Sequence, residues 1–193
     1  MRKTPLLLLP AALLIAACQP QAPAEPEAAT PTPAPEQAVE APAPAATASV
    51  ALAPTEGNAT AGAITFELVD GGIRATGEVT GLSPGDHGFH VHEHGDCSAP
   101  DGTSAGGHFN PGTSNHGRVG HGVHHGGDSD NIFANDAGVA TVDSLLQGVT
   151  LGDGAATDIV GKAVIVHADP DDYTTQPTGN AGARLACGVI AAQ

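Results

Sequence analysis

The chain has 193 residues, and 21 acidic side chains against six lysines and arginines give it a formal net charge of −15 at pH 7. Nucleic-acid sites need clusters of lysine and arginine to contact phosphates, so this composition excludes a nucleic-acid partner. An acidic surface favours solubility and the accumulation of cations.

The N-terminus has the features of an exported lipoprotein. Met1-Arg2-Lys3 precedes an apolar run over 6–17, which is shorter than the roughly 20 residues of a membrane-spanning helix but suits the core of a signal peptide. The run ends in Leu14-Ile15-Ala16-Ala17-Cys18, which resembles the site cut by the lipoprotein signal peptidase. We expect a signal peptide over 1–17 and a lipid on Cys18. The alternative is an ordinary signal peptide with a chance cysteine.

This leader also predicts a location and a domain organisation. We expect an exported protein of the periplasm or cell envelope that is anchored to a membrane through Cys18. Gln19 follows the cysteine where an aspartate could stand, which favours the outer membrane if the cell is Gram-negative. Residues 18–48 are mostly Pro, Ala, Glu, Gln and Thr and predict a disordered tether. Residues 49–193 are the right size for one domain.

The domain shows strand patterns and no helical periodicity. Ile64-Thr65-Phe66-Glu67-Leu68 alternates apolar and polar residues, Gly71-Gly72 predicts a two-residue turn, and the run 73–79 completes a hairpin. Further strands are predicted over 50–53, 87–92, 132–134, 138–142, 163–167 and 187–192. Short strands joined by Gly-rich turns indicate an all-β protein, an antiparallel sandwich or barrel.

Two segments without periodicity, 93–131 and 168–183, predict long loops. A loop of the first length is uncommon in a compact domain unless it is functional, and a metal or a disulfide can supply its order. If Cys18 carries a lipid, Cys97 and Cys187 remain as an even pair in a compartment where disulfides persist. The alternative is two free buried thiols.

The spacing of the histidines predicts metal binding. His90 and His92 lie two residues apart in a predicted strand, so their side chains project to the same face. Imidazoles suit copper, and a tetrahedral set of imidazoles and a carboxylate suits zinc. Six imidazoles and one carboxylate exceed what one tetrahedral ion needs, which indicates two ions. The candidates are His90, His92, His108, His116, His125, Asp128 and His167.

Three motifs carry a resemblance to a known family. They are Gly88-Phe89-His90-Val91-His92-Glu93, Gly107-His108-Phe109-Asn110-Pro111 and the run Gly179-Asn180-Ala181-Gly182-Ala183-Arg184-Leu185-Ala186-Cys187-Gly188-Val189-Ile190. With these motifs, residues 49–193 resemble a copper/zinc superoxide dismutase of the bacterial, exported kind. The resemblance implies an eight-stranded Greek-key β-barrel or sandwich with the active site outside the barrel, under two long functional loops.

The resemblance also implies roles for individual residues. Copper would be bound by His90, His92, His108 and His167, and zinc by His108, His116, His125 and Asp128, so that His108 bridges the two ions. Arg184 would attract the superoxide anion, which the enzyme converts to dioxygen and hydrogen peroxide by cycling copper between Cu(II) and Cu(I). Asp171 would join a copper histidine to a zinc histidine, and Cys97 and Cys187 would form the disulfide of the family.

Several alternatives stay open at this point. A non-enzymatic lipoprotein that binds or buffers copper and zinc at the envelope would also explain an excess of histidines. His94, His121 and His124 have no assigned role, and a one-residue slip would exchange His124 for His125 as the zinc ligand. Related bacterial enzymes occur as monomers and as homodimers, and the residue types do not choose between them.

Overall fold

Ten β-strand segments and one short 3-10 turn make up the regular structure of the computed structural model, which describes residues 47–193. The signal peptide, the lipid on Cys18 and nearly all of the tether lie outside the described residues. The strands are β1 Thr47–Pro54, β2 Ala61–Val69, β3 Gly72–Thr80, β4 Gly85–His87, β5 Phe89–His92, β6 Ile132–Ala134, β7 Ala140–Leu146, β8 Ala163–His167, β9 Arg184–Val189 and β10 Ala191–Ala192, and the 3-10 turn is Thr103–Ala105. Within 47–193 no helix is long and apolar enough to cross a membrane.

The strands form a nearly closed antiparallel barrel with Greek-key connections. Neighbouring strands follow the order β4-β6-β7-β3-β2-β1-β9-β8-β5, so β3 pairs with β7 and not with the next strand along the chain. β4 pairs with β6 and β5 pairs with β8, although only Gly88 separates β4 from β5. The chain therefore passes at Gly88 from one end of this strand order to the other. The ten segments form eight strands if β4 joins β5 and β9 joins β10, as the resemblance implies.

Gly88 divides the strand that the sequence predicts over 87–92. A Cβ atom at this position would lie 2.9 Å from the Cβ of Ala181 and 3.3 Å from the Cβ of His167. The first distance is shorter than real Cβ contacts, so a larger residue here would have to displace Ala181. The crossing brings the two strands that carry His90 and His167 side by side.

Smaller differences from the predicted elements have local causes. The hairpin between β2 and β3 turns at Asp70-Gly71, one residue before the predicted position, and Gly71 adopts the positive φ of 91° that such turns require. β1 begins at Thr47, two residues before the predicted start of the domain. β7 continues to Leu146, past the polar pair Asp143-Ser144 where the predicted strand ends.

The barrel interior is filled by aliphatic side chains and a few phenylalanines. Phe66, Phe89, Ile64, Ile73 and Leu146 are fully buried. Burial of each such side chain stabilises the fold by about 1.5–3 kcal/mol. The core therefore fixes β5 and β8, on which candidate ligands lie.

The two predicted loops lie on the outside of the barrel. Residues 93–131 contain only the 3-10 turn, and residues 168–183 contain no regular element. The predicted disulfide is present: Cys97, in the first loop, is bonded to Cys187 of β9, with the Cα atoms 5.8 Å apart. This bond attaches the first loop to the barrel wall.

Candidate metal centre

Four histidines come together where the barrel meets its loops. His90 and His92 lie on β5, which pairs with β8, and His167 ends β8 after an irregularity in its pairing with β9. His108 comes from the first loop and forms an isolated bridge with His92. All four are buried, and their candidate ligand atoms lie within 4.8 Å of one another.

Hydrogen bonds around this group turn one nitrogen of each strand histidine inward. Nδ1 of His92 donates to the carbonyl of Gly106 at 2.9 Å, and Nε2 of His90 bonds Oδ2 of Asp171 at 2.9 Å. The remaining nitrogen of His92, Nε2, lies 3.3 Å from Nε2 of His167. Imidazole nitrogens that converge without a carboxylate between them are typical of a copper or zinc site.

In a second group of four residues, three histidines surround a carboxylate oxygen of the fourth, Asp128. The Nδ1 atoms of His108, His116 and His125 lie 2.7, 3.0 and 3.3 Å from Oδ1 of Asp128. The other oxygen, Oδ2, accepts hydrogen bonds from the backbone N–H groups of Gly117 and His125. Zinc bonds of about 2.0–2.1 Å in tetrahedral array place ligand atoms about 3.3 Å apart, so this donor set has the spacing of a zinc site.

Three nitrogen atoms support the fit of these residues to metal ions. Nδ1 of His90, Nε2 of His108 and Nδ1 of His125 are buried and have no hydrogen-bond partner among residues 47–193. The contact between His125 and Asp128 is close but is not aligned as a hydrogen bond. An unpaired buried polar atom costs about 1–3 kcal/mol, and a metal ion removes that cost. His108 belongs to both groups, with Nδ1 in the second and Nε2 in the first.

Asp171 connects the two groups. Its Oδ2 bonds Nε2 of His90 at 2.9 Å, and its Oδ1 bonds Nε2 of His116 at 3.0 Å. The backbone N–H of Tyr173 donates to Oδ1, and the side-chain amide of Asn131 pairs with the backbone of Asp171. Asp171 is buried, whereas the neighbouring Asp172 is exposed. Asp171 therefore joins one histidine of each group through its two carboxylate oxygens.

Burial keeps the strand histidines in the neutral form that binds metals. Burial and the nearby His108 lower the pKa of His90 to about 4. Burial, followed by neighbouring histidines, also lowers the pKa values of His92 and His167 well below their usual range. Because a metal ligand must be deprotonated, these imidazoles are prepared for a cation at neutral pH.

His116 is in the opposite electrostatic situation. Burial lowers its pKa, but the hydrogen bonds to Asp128 and Asp171 outweigh burial and raise the pKa to about 9. Burial alone would raise the pKa values of Asp128 and Asp171. Their hydrogen bonds to histidines outweigh burial and hold both pKa values well below the usual range. Ionised carboxylates only accept hydrogen bonds, so both nitrogens of His116 carry protons in the metal-free protein.

Arg184 supplies a cation beside the first group. It opens β9 and is half-buried, and its Nη1 and Nη2 donate to the carbonyls of Gly102 and Gly106 at 2.7 and 2.6 Å. It lines a surface cavity of about 360 Å³ together with Asp101 and Thr103. Burial lowers the pKa of Arg184, but a guanidinium remains protonated at neutral pH. Arg184 is thus a permanent positive charge in the wall of a cavity that Glu56 and Asp101 also line.

Three of the histidines without an assigned role lie outside both groups. His94 and His121 are exposed, and Nδ1 of His124 donates to the carbonyl of His125 at 2.7 Å. Of the adjacent pair, His125 is the one in the four-residue group. His87 is buried and bonds the carbonyls of His167 and Ser83, as a structural residue would.

Sequence patterns did not single out two residues that contact the site. Gln176 bonds the backbone of His116, and Asn131 bonds that of Asp171. Neither residue is a metal ligand or a titratable group, and each lies in a segment without periodicity. Only the folded loops bring these amides to the site.

Comparisons with known proteins agree with this geometry. The family profile described as copper/zinc superoxide dismutase (SODC) matches residues 60–190. A superoxide dismutase [Cu-Zn] from Caulobacter vibrioides is 44% identical over 135 residues, which cover 67% of this chain and 78% of the relative.

Solved structures share the fold. The clock protein EA4 has a TM-score of 0.68 at 37% identity, over 79% of this chain and 98% of its own. A double mutant of a SOD-like protein from Bacillus subtilis has a TM-score of 0.67 at 38% identity, over 74% and 96% of the two chains. With a profile match over most of the folded domain and a relative at this identity, the chain belongs to the copper/zinc superoxide dismutase family.

Proposed function

We propose that this chain is a superoxide dismutase, an oxidoreductase that converts two superoxide anions and two protons to dioxygen and hydrogen peroxide. The observation that carries the proposal is the position of His108. Its Nδ1 lies 2.7 Å from Asp128, in the group with zinc-like spacing, and its ring centroid lies 4.0 Å from that of His90. One imidazole thus belongs to two candidate ion sites, an arrangement that a single-metal binding protein does not need.

We assign copper to His90, His92, His108 and His167, and zinc to His108, His116, His125 and Asp128. When bound, copper supplies the one-electron exchange that dismutation requires, and zinc supplies a fixed positive charge and fixed geometry. Asp171 holds one histidine of each group through its two oxygens and keeps their ring orientations linked.

Arg184 attracts and orients the anionic substrate in this proposal. The carbonyls of Gly102 and Gly106 hold the guanidinium, so little conformational freedom is lost when an anion arrives. A positive charge held beside the site raises the rate at which an anion associates with it.

His108 holds and releases a proton at Nε2. This atom is buried without a hydrogen-bond partner among the described residues, whereas Nδ1 is directed to Asp128. Nε2 is therefore the ring atom left for the group that contains His90 and His92. One of the two protons that peroxide formation consumes can come from this atom.

A copper- or zinc-buffering role is not favoured. Metal storage needs ligands but no fixed cation beside them, because a guanidinium repels the metal ion. In a metal store, Arg184 would weaken metal binding by this repulsion and have no function in return. Its charge close to His92 and His167 supports a role in attracting an anion in this proposal.

The test is superoxide consumption by the full chain loaded with copper and zinc, followed by stopped-flow or pulse radiolysis. We expect fast consumption that is lost in His167→Ala and retained in the control His121→Ala, which changes an exposed histidine outside both groups. Slow consumption by a folded chain that holds both metals would reject the enzyme and favour the buffer.

We further propose that the chain is exported and anchored to the cell envelope through a lipid on Cys18. The support is the sequence of the leader and the Pro/Ala-rich segment after it. Mass spectrometry of the mature N-terminus should find a lipidated Cys18, and Cys18→Ser should move the protein from the membrane fraction to the soluble fraction. An unmodified N-terminus would contradict this location.

The oligomeric state is independent of the proposed chemistry. Every residue assigned to copper, zinc and the substrate comes from one chain, so a homodimer would add no ligand to the site. Sedimentation velocity of the full chain distinguishes a monomer from a homodimer.

A further inference from the structure

One exposed side chain in the second loop holds the backbone of a candidate zinc ligand. The side-chain oxygen of Gln176 accepts a hydrogen bond from the N–H of His116 at 2.9 Å, and its Nε2 donates to the carbonyl of the same residue at 3.0 Å. Among residues 47–193 no backbone group pairs with the N–H or the C=O of His116. A single amide thus satisfies both main-chain groups of this residue.

These two bonds replace what a neighbouring strand would otherwise provide. His90, His92 and His167 lie on strands whose ladders fix their backbones, but His116 lies in the irregular loop 93–131. His116 is buried, so its unpaired N–H and C=O groups would carry a desolvation cost without Gln176. The position of its main chain depends on contacts between the loops.

The second loop also determines where the ring of His116 lies. Asp171 bonds Nε2 of the ring at 3.0 Å, and five residues later Gln176 bonds the backbone. The loop 168–183 therefore contacts His116 both at its ring and at its main chain. Nδ1, the atom that faces Asp128, is left to bind an ion.

We propose that Gln176 is a positioning residue that raises the zinc affinity of this site by fixing His116 before the metal binds. The proposal rests on the assignment of zinc to His116 made above. A ligand held in place before binding loses less conformational freedom when the ion arrives. Partners of ligands that do not touch the metal typically contribute about 10- to 100-fold to metal affinity.

The experiment compares the full chain with Gln176→Met, which keeps the length of the side chain and removes its two hydrogen bonds to His116, together with a longer one to the carbonyl of Thr174. Zinc affinity is measured by competition with a chromogenic chelator, and copper affinity in the same way. We expect zinc affinity to fall about 10- to 100-fold and copper affinity to change much less. Because the change leaves the buried N–H and C=O of His116 unpaired, the metal-free protein should also lose some stability, so the readout of positioning is a loss of zinc affinity that clearly exceeds the loss of copper affinity.

A spectroscopic readout separates positioning from general stability. Co²⁺ bound in place of zinc should show altered visible bands in Gln176→Met. The matched control is Thr174→Ala, an exposed residue of the same loop whose hydroxyl bonds only Asp172, and its spectrum and zinc affinity should equal those of the parent chain.

Two results would overturn the proposal. The first is a Gln176→Met protein with parental zinc affinity and an unchanged Co²⁺ spectrum. The second is an equal loss of zinc affinity, copper affinity and metal-free stability, which would assign Gln176 to the fold alone. If the parent chain binds no zinc at all, the assignment of the zinc site fails together with this inference.

Discussion

Zinc binding should expel one proton from His116. In the metal-free protein this ring lies between Asp128 and Asp171, with its two nitrogens 3.0 Å from a carboxylate oxygen on each side. Two acceptors require two N–H donors, so the ring is an imidazolium with a pKa raised to about 9. Zinc needs the lone pair of Nδ1, and the proton there must leave before the ion can bind.

The free energy needed to remove this proton follows from the pKa of His116. At pH 7 the solution is about two pH units below the pKa of His116, and at 1.36 kcal/mol per unit the deprotonation costs about 2.7 kcal/mol. Zinc affinity should therefore be about 100-fold weaker at pH 7 than above pH 9, and should rise about tenfold from pH 7 to pH 8. His90, with a pKa near 4, is already neutral over this range and adds no such dependence to copper binding.

Isothermal titration calorimetry measures the proton directly. Zinc is titrated into the metal-free chain at pH 7 in buffers that differ in ionisation enthalpy, and the slope gives the number of protons released. Asp171→Asn removes one of the two carboxylates that raise the pKa of His116. The variant should therefore release fewer protons than the parent chain when zinc binds at the same pH. Zinc affinity that is constant between pH 7 and pH 8.5 would refute the reasoning.

Three further predictions concern charge, pH and the disulfide. Arg184→Ala should lower kcat/KM at least about tenfold and weaken its dependence on salt, because the charge that attracts the anion is lost. The measurement is kcat/KM at two ionic strengths, and an unchanged value would show that Arg184 does not take part in substrate capture. The metal-free protein should lose at least about 3 kcal/mol of stability as the pH falls from 6.5 to 4, because His90 takes up its proton in the unfolded chain before it does so in the folded one. His92 and His167, whose pKa values are also lowered, add to this loss. Urea titrations across this range check the sign, and a flat profile contradicts it. Replacing both Cys97 and Cys187 by serine should lower the free energy of unfolding by about 4–5 kcal/mol, because the disulfide closes a loop of 90 residues. Denaturant titrations measure this loss, and a loss below about 1 kcal/mol would count against the predicted value.

Much of the site was predictable because two of its ligands lie on a strand. The two-residue period of a strand puts His90 and His92 on one face, and this follows from spacing alone. The resemblance then placed Asp171 and not Asp172, and His125 and not His124, and the structure brings Asp171 and His125 to the site while Asp172 and His124 lie outside it. Their roles with bound metal stay predictions.

The parts that could not be predicted depend on loop conformation. The carbonyl of Gly106 and the amide of Gln176 reach the site only because two irregular loops fold over the barrel. Backbone carbonyls have no sequence signature, and no periodicity indicates where a long loop returns. The division of a strand at Gly88 was also hidden, since His87 before it and Phe89 and His90 after it fit one continuous strand.

The carbonyl of Gly106 accepts hydrogen bonds from both Nδ1 of His92 and Nη2 of Arg184. One peptide plane thereby selects the neutral tautomer of a candidate copper ligand and sets the place of the cation that meets the substrate. Gly106 has a positive φ of 75°, and a Cβ atom there would lie 2.5 Å from Oε1 of Glu93, so substitution would shift this plane. A transplant of the site to another scaffold must therefore include this peptide. A change at Gly106 alters the basicity of His92 and the position of Arg184 together, so the two properties cannot be tuned separately there.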